Sequence, residues 1–169
     1  MIPKSEIILA DTYQSYVQAV KEDSIKKALA NNPRQFRKLV EDIPRRKVDY
    51  AYAEGKWTIR EMMQHIIDAE RVFAYRALRC SRMDPTPLSA FDEQQWAVHA
   101  GGADRRWKDL KEEFSAVRDS TEYLYDSLTD EQLRFVGVAR GLPINAFTIG
   151  FIIPGHTIHH MQILRERYL

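Results

Sequence analysis

Cysteine is almost absent from this chain. Cys80 is the single one in 169 residues, which excludes an intrachain disulfide framework and suits a reducing cytoplasm. An excess of charge of either sign is missing too. Lys and Arg number 25 against 24 Asp and Glu, a net charge of +1. That balance removes the electrostatic reason to expect a nucleic acid or an anionic membrane as partner. The longest apolar-rich stretch, Ala146 to Ile153, is far too short to span a bilayer. The opening residues, Met1 to Glu6, lack the charged-then-apolar order of a signal peptide. No internal repeat or low-complexity segment is found, and β-type alternation is scarce. What is present is an ordinary composition for a soluble protein, 44% hydrophobic and 29% charged. The length suits one domain over 1–169 with a substantial core.

Helical periodicity dominates. Lys21 to Ala30 reads as a first helical piece. Asn32-Pro33 then reads as an N-cap with proline at the first helical position, opening a segment to about Ile43. Pro44 to Lys56 is a connection. Thr58 and Glu61 form a capping box ahead of a helix that runs to about Arg82. Ile59, Met62, Met63, Ile66, Ile67, Phe73, Ala74, Ala77 and Leu78 form its apolar stripe. Met83 to Leu88 is a loop, Ala90 to Val98 has room for a short helix, and Gly101-Gly102 breaks the chain. A third long helix spans about Asp104 to Leu128, with a bundle seam through Trp107, Leu110, Phe114, Val117, Thr121 and Leu124. Thr129 opens a further short turn, Gly137 to Pro143 is a connection, and a last helix runs from about Asn145 to the C-terminus. Four main helices with mostly short connections predict an all-α four-helix bundle with short extra helices.

Three of the five histidines lie in Gly155-His156-Thr157-Ile158-His159-His160. His156 and His160, four residues apart, share one helix face, the geometry that chelates a divalent metal. They fall at the centre of the stripe formed by Ile149, Ile152, Ile153, Ile163, Leu164 and Arg167, with His159 toward its edge. Burying two neutral imidazoles without partners costs several kcal/mol. A metal offsets that cost, and so do hydrogen bonds to carboxylates or backbone; both readings stand. No glutamate follows His156, so the H-E-x-x-H zinc-protease pattern is absent. His65, on the second long helix at the border of its stripe, is the candidate third ligand. Cys80 lies 15 residues beyond it, about 22 Å along one helix, and cannot join the same site. His99, in a loop beside two glycines, is a candidate fourth ligand. Without a fourth, the coordination sphere is open, which favours catalysis over a structural role.

Glu70 falls inside the second helix's apolar stripe and needs a partner; Arg118 and Arg167 are the candidates. Asp68 is placed either to orient His65 or to face solvent. Pro154, two residues before His156, should kink the last helix or mark its true start.

Gly55-Lys56-Trp57-Thr58, the run His65-Ile66-Ile67-Asp68-Ala69-Glu70-Arg71 with Tyr75-Arg76-Ala77-Leu78, and the ending Gly155 to His160 through Glu166-Arg167-Tyr168 together resemble the DinB/YfiT-like superfamily of four-helix-bundle metalloproteins. The likeness covers most of the chain from about Arg34 onward. It implies a divalent metal held by His65, His156 and His160, with nickel or zinc first and manganese or iron as further options. Pro154 departs from the family pattern, in which a small helix former is usual. The resemblance also implies a homodimer acting on a small-molecule substrate; cysteine usage and charge balance add a cytoplasmic setting without nucleic acid or membrane. Two activities follow from it: transfer of a low-molecular-weight thiol to an electrophile, or metal-dependent hydrolysis. In the first the metal lowers the pKa of the thiol, and in the second that of water. The rival is a non-catalytic homodimeric bundle with a structural metal or none.

Overall fold

The computed structural model describes residues 2–8 and 11–169. Its α-helices are α1 (Gln14–Ala19), α2 (Ile25–Glu41), α3 (Ile59–Ser81), α4 (Glu93–His99), α5 (Trp107–Asp126), α6 (Asp130–Arg134) and α7 (Ala146–Ile163). A two-stranded hairpin, β1 (Val136–Ala139) and β2 (Leu142–Asn145), precedes α7. The long helices α2, α3, α5 and α7 form the bundle. α7 packs on α2 and α3, and α5 packs on the same two helices from the other side. The two helices that come first in the chain, α2 and α3, are therefore diagonal across the bundle. α1 lies on the outside of α7.

Local chemistry explains most of the boundaries. The Thr58–Glu61 capping box opens α3 in both directions, and Thr129–Gln132 does the same for α6. Asn145 caps α7 by accepting from the Thr148 amide at 2.8 Å. α7 then runs unbroken through Pro154, so Pro154 does not mark a helix start.

Three expectations are corrected. Asn32-Pro33 does not divide two helices; α2 is continuous across Pro33. The Leu29 carbonyl, which proline cannot bond, accepts instead from Arg118 at 3.5 Å. Asn32, rather than capping, donates to the Pro154 carbonyl at 3.4 Å. Gly137 to Pro143 is not an irregular connection but part of the hairpin, whose turn places Arg140 at φ 56° and Gly141 at φ 77°, the signs of a type I′ turn. Leu88 pins the hairpin to the loop after α3 through bonds to Val138 and Arg140. Finally, Arg167 does not point inward. The chain widens into a π-turn over Leu164–Tyr168. The wider turn shifts the inward position by one residue, so Tyr168 is buried and Arg167 exposed.

The apolar core has two parts. One gathers Leu29, Phe73, Tyr125 and Ile149 with α1. The other gathers Phe36, Ile66, Phe114 and Met161 toward the opposite end of the bundle. Buried polar side chains from all four long helices occupy the seam between them.

At Gly155 the backbone of α1 comes unusually close. A Cβ there would stand 2.2 Å from the Tyr16 carbonyl oxygen, so only glycine admits this packing.

Candidate metal centre

α7 stacks His156 and His160 one turn apart, with ring centroids 4.5 Å from each other. α3 packs on that face and brings His65 in from the other side. The three Nε2 atoms converge: His156 is 3.1 Å from His65 and 3.1 Å from His160. Two nitrogens on one tetrahedral zinc, at about 2.0 Å each, stand about 3.3 Å apart. All three rings are buried, and their ligand atoms lie within 4.8 Å of one another.

The hydrogen bonding of these rings is incomplete. His156 Nε2 faces the Nε2 atoms of His65 and His160. His160 Nδ1 is buried with no partner. The reading of two core histidines bonded to carboxylates or backbone required such partners, and the rings face each other instead. Burial, with a smaller contribution from His159, lowers the pKa of His65 to about 4. Burial also holds His156 and His160 well below the ordinary histidine range, and the neighbouring imidazoles add to it. Three neutral imidazoles aimed at one point suit a divalent cation chemically. No carboxylate or thiol among the described residues belongs to the group, so three protein ligands would leave coordination positions open.

Aromatic rings enclose the cluster. Trp57 lies tilted against His65 at 4.7 Å between centroids, and Tyr16 meets His156 edge-on at 5.4 Å. Beside it opens a cleft of about 490 Å³ lined by Tyr13, Tyr16, Phe73, Phe91 and Arg140, with His65 and His156 in its wall. That is the size range of small-molecule sites, roughly 300–1,000 Å³.

The other candidates lie elsewhere. His99 is exposed at the end of α4. His159 is half-buried, its ring 5.4 Å from that of Tyr16, and outside the converging group. Asp68 accepts from Gln64 and Arg71 rather than from His65. Cys80 is buried under the Ile144 carbonyl at 3.8 Å. Glu70 pairs with Arg118 through both oxygens at 2.7 and 2.9 Å. Sequence reasoning missed Tyr13, Tyr16 and Arg140. The spacing Tyr13, Tyr16, Val17, Val20 is a helical signal, but the segment is too short to declare itself.

Residues 28–164 match the sequence profile of the DinB superfamily. The chain belongs to the DinB superfamily. The DinB match includes all three converging histidines and leaves α1 outside it. Curated relatives match over shorter stretches. A "putative metal-dependent hydrolase" of Oceanobacillus iheyensis is 30% identical over 66 residues, 38% of each chain. Another, of Bacillus mycoides, is 25% identical over 87 residues, 49% of this chain and 50% of its own. The chain thus spans half or less of the length of these curated relatives. Among solved structures, YfiT from Bacillus subtilis is described as "a probable metal-dependent hydrolase with an unusual four-helix bundle topology". It matches with a TM-score of 0.73 at 18% identity, over 98% of this chain and 90% of that one. The fold of the chain is thus one already seen in a solved four-helix bundle. No helix of the described residues is long and apolar enough to cross a membrane.

Proposed function

We propose that this DinB-superfamily chain is a divalent-metal-dependent enzyme with His65, His156 and His160 as protein ligands, acting on a small molecule in the adjoining cleft. The observation that carries this reading is the convergence of three buried Nε2 atoms on one another, beside a His160 Nδ1 that has no partner. A metal bound there would supply Lewis acidity, lowering the pKa of a water or thiol nucleophile. The protein supplies the rest. Trp57 and Tyr16 fix the ring orientations, and the apolar seam keeps the imidazoles neutral and ready to bind. The cleft gives access from one side.

Hydrolysis is the leading reaction, in keeping with the names of the relatives. Transfer of a low-molecular-weight thiol uses the same centre and is the second reading, favoured by the absence of any cysteine nucleophile beside the histidines. Nickel and zinc suit an all-imidazole donor set, ahead of manganese. The reading keeps the expectation of a cytoplasmic homodimer.

The test is elemental analysis of protein purified without a nickel column, for wild type and His156→Ala. About one metal per chain, lost in the variant, supports the centre and justifies assays with ester, amide and thiol-plus-electrophile substrates. No metal after reconstitution with zinc, nickel and manganese would leave a structural bundle.

A further inference from the structure

One hydroxyl beside the histidines is not used by the fold. Tyr16 lies on α1, whose backbone is seated on α7 by the close approach at Gly155. From there its ring leans on two histidines, edge-on to His156 with centroids 5.4 Å apart and tilted to His159 at 5.4 Å. It lines the cleft together with His65 and His156. Backbone and ring make these contacts, so the phenol oxygen is left over.

Other tyrosines use their hydroxyls as struts. Tyr125 donates to the Ala146 carbonyl at 2.9 Å, and Tyr168 donates to that of Trp57. Tyr13, which also lines the cleft, is engaged through its side chain with Arg76. The Tyr16 hydroxyl has no hydrogen-bond partner among the described residues. The buried side-chain atoms without a partner are Arg76 Nη1 and His160 Nδ1, so this hydroxyl, unlike them, is accessible. The remaining side-chain donors of the cleft, Thr12, Gln94 and Arg140, belong to exposed residues, whereas Tyr16 is half-buried. A donor set in a half-buried aromatic wall is worth more than the same donor in water.

We propose that Tyr16 is a catalytic residue: its hydroxyl donates a hydrogen bond to a carbonyl oxygen of the substrate, an ester or amide, held against the histidine cluster. The role rests on the metal-centre reading. A phenol keeps its proton at neutral pH and so meets the substrate as a donor. A carbonyl oxygen gains negative charge as a nucleophile adds to its carbon, and a donor already in place strengthens its bond at that moment. The donor comes from α1, outside the residues that match the DinB profile.

Calorimetric titration of zinc-loaded protein with two small ligands tests this role. Acetohydroxamate presents acceptor oxygens, one of them a carbonyl, whereas imidazole bound through one nitrogen presents no acceptor. Wild type, Tyr16→Phe and Thr12→Val are compared after zinc uptake is measured. Tyr16→Phe should melt as wild type does, because the hydroxyl has no partner to lose, and should take up zinc equally. It should bind acetohydroxamate about fivefold to tenfold more weakly and imidazole unchanged. Thr12→Val should match wild type throughout. The proposal is overturned if zinc-loaded wild type does not bind acetohydroxamate, or if Tyr16→Phe binds it equally well. It is also overturned if Tyr16→Phe weakens zinc or imidazole to the same degree, since the hydroxyl then serves only to seat the histidine rings. An equal loss in Thr12→Val overturns it too, because the effect then belongs to no one donor. Wild type that takes up no zinc sinks the metal-centre reading and this role with it, whereas zinc uptake with unaltered acetohydroxamate binding in Tyr16→Phe sinks the role alone.

Discussion

Two polar clusters share the seam of this bundle, and they are built on opposite plans. Glu70, Arg118, Asn32 and Thr157 form a closed network. Arg118 meets Glu70 at 2.7 and 2.9 Å, Asn32 at 2.9 Å and Thr157 at 3.3 Å. His65, His156 and His160 form an open one, facing each other at 3.1 Å with His160 Nδ1 unpartnered. The clusters are neighbours in sequence: Thr157 follows His156, and Glu70 lies five residues after His65. Burial is the same in both, so burial alone does not tell a site from a strut. Completeness does. A satisfied network has nothing left to bind, whereas a set of buried lone pairs aimed at one point does.

The sharpest way to break the contrast is to open the closed cluster. Glu70→Ala leaves the Arg118 charge buried alone, and we expect a loss of about 3–5 kcal/mol in urea unfolding. Replacing both partners by methionine should recover most of that loss, because no unpaired charge then remains.

Acid should act next, and on the open cluster. In metal-free protein the folded pKa values of the three histidines lie below the unfolded value near 6.5, with His65 at about 4. Between these values the unfolded chain binds protons that the folded chain refuses, so stability falls as pH drops. His65 alone contributes on the order of 3 kcal/mol, present above pH 6.5 and lost toward pH 4. A flat stability profile over that interval would contradict the buried neutral cluster.

Metal is the third probe. At a free concentration 100 times the dissociation constant, a bound ion adds about 2.7 kcal/mol. The melting temperature of wild type should therefore rise with added zinc or nickel, and that of His156→Ala should not. A rise in both would place the ion elsewhere.

The smallest effect concerns Cys80. Burial raises its thiol pKa, and a backbone bond from Gly137 offsets this in part. Alkylation by iodoacetamide at pH 8 should be slow in folded protein and fast in urea. Fast labelling of folded protein would mean that the hairpin over Cys80 opens.

Much of this was legible beforehand, for a physical reason. His65, His156 and His160 sit on long helices, where the 3.6-residue period converts spacing into direction. Glu70 was legible too, as a charge out of place in an apolar stripe. The misreadings lie where a tertiary partner overrides a local rule. Pro33 reads as a helix start because its lost bond is visible in the sequence and the arginine that compensates for it is not. Arg167 reads as inward because a π-turn shifts the period without leaving a residue signature. The hairpin is four residues a side, too short for alternation to show. Arg140 lies at its tip.

The close approach at Gly155 sets a trap for engineering. Helix-propensity rules rank glycine in mid-helix as a defect, worth roughly 1 kcal/mol to replace by alanine. Here the added methyl would strike the Tyr16 carbonyl 2.2 Å away. The helix itself would improve, and the N-terminal segment would lose its seat. Tyr16 would leave with it and strip the cover from His156, one residue along. A destabilised bundle with an unroofed centre would be the product, the reverse of what helix propensity alone foretells.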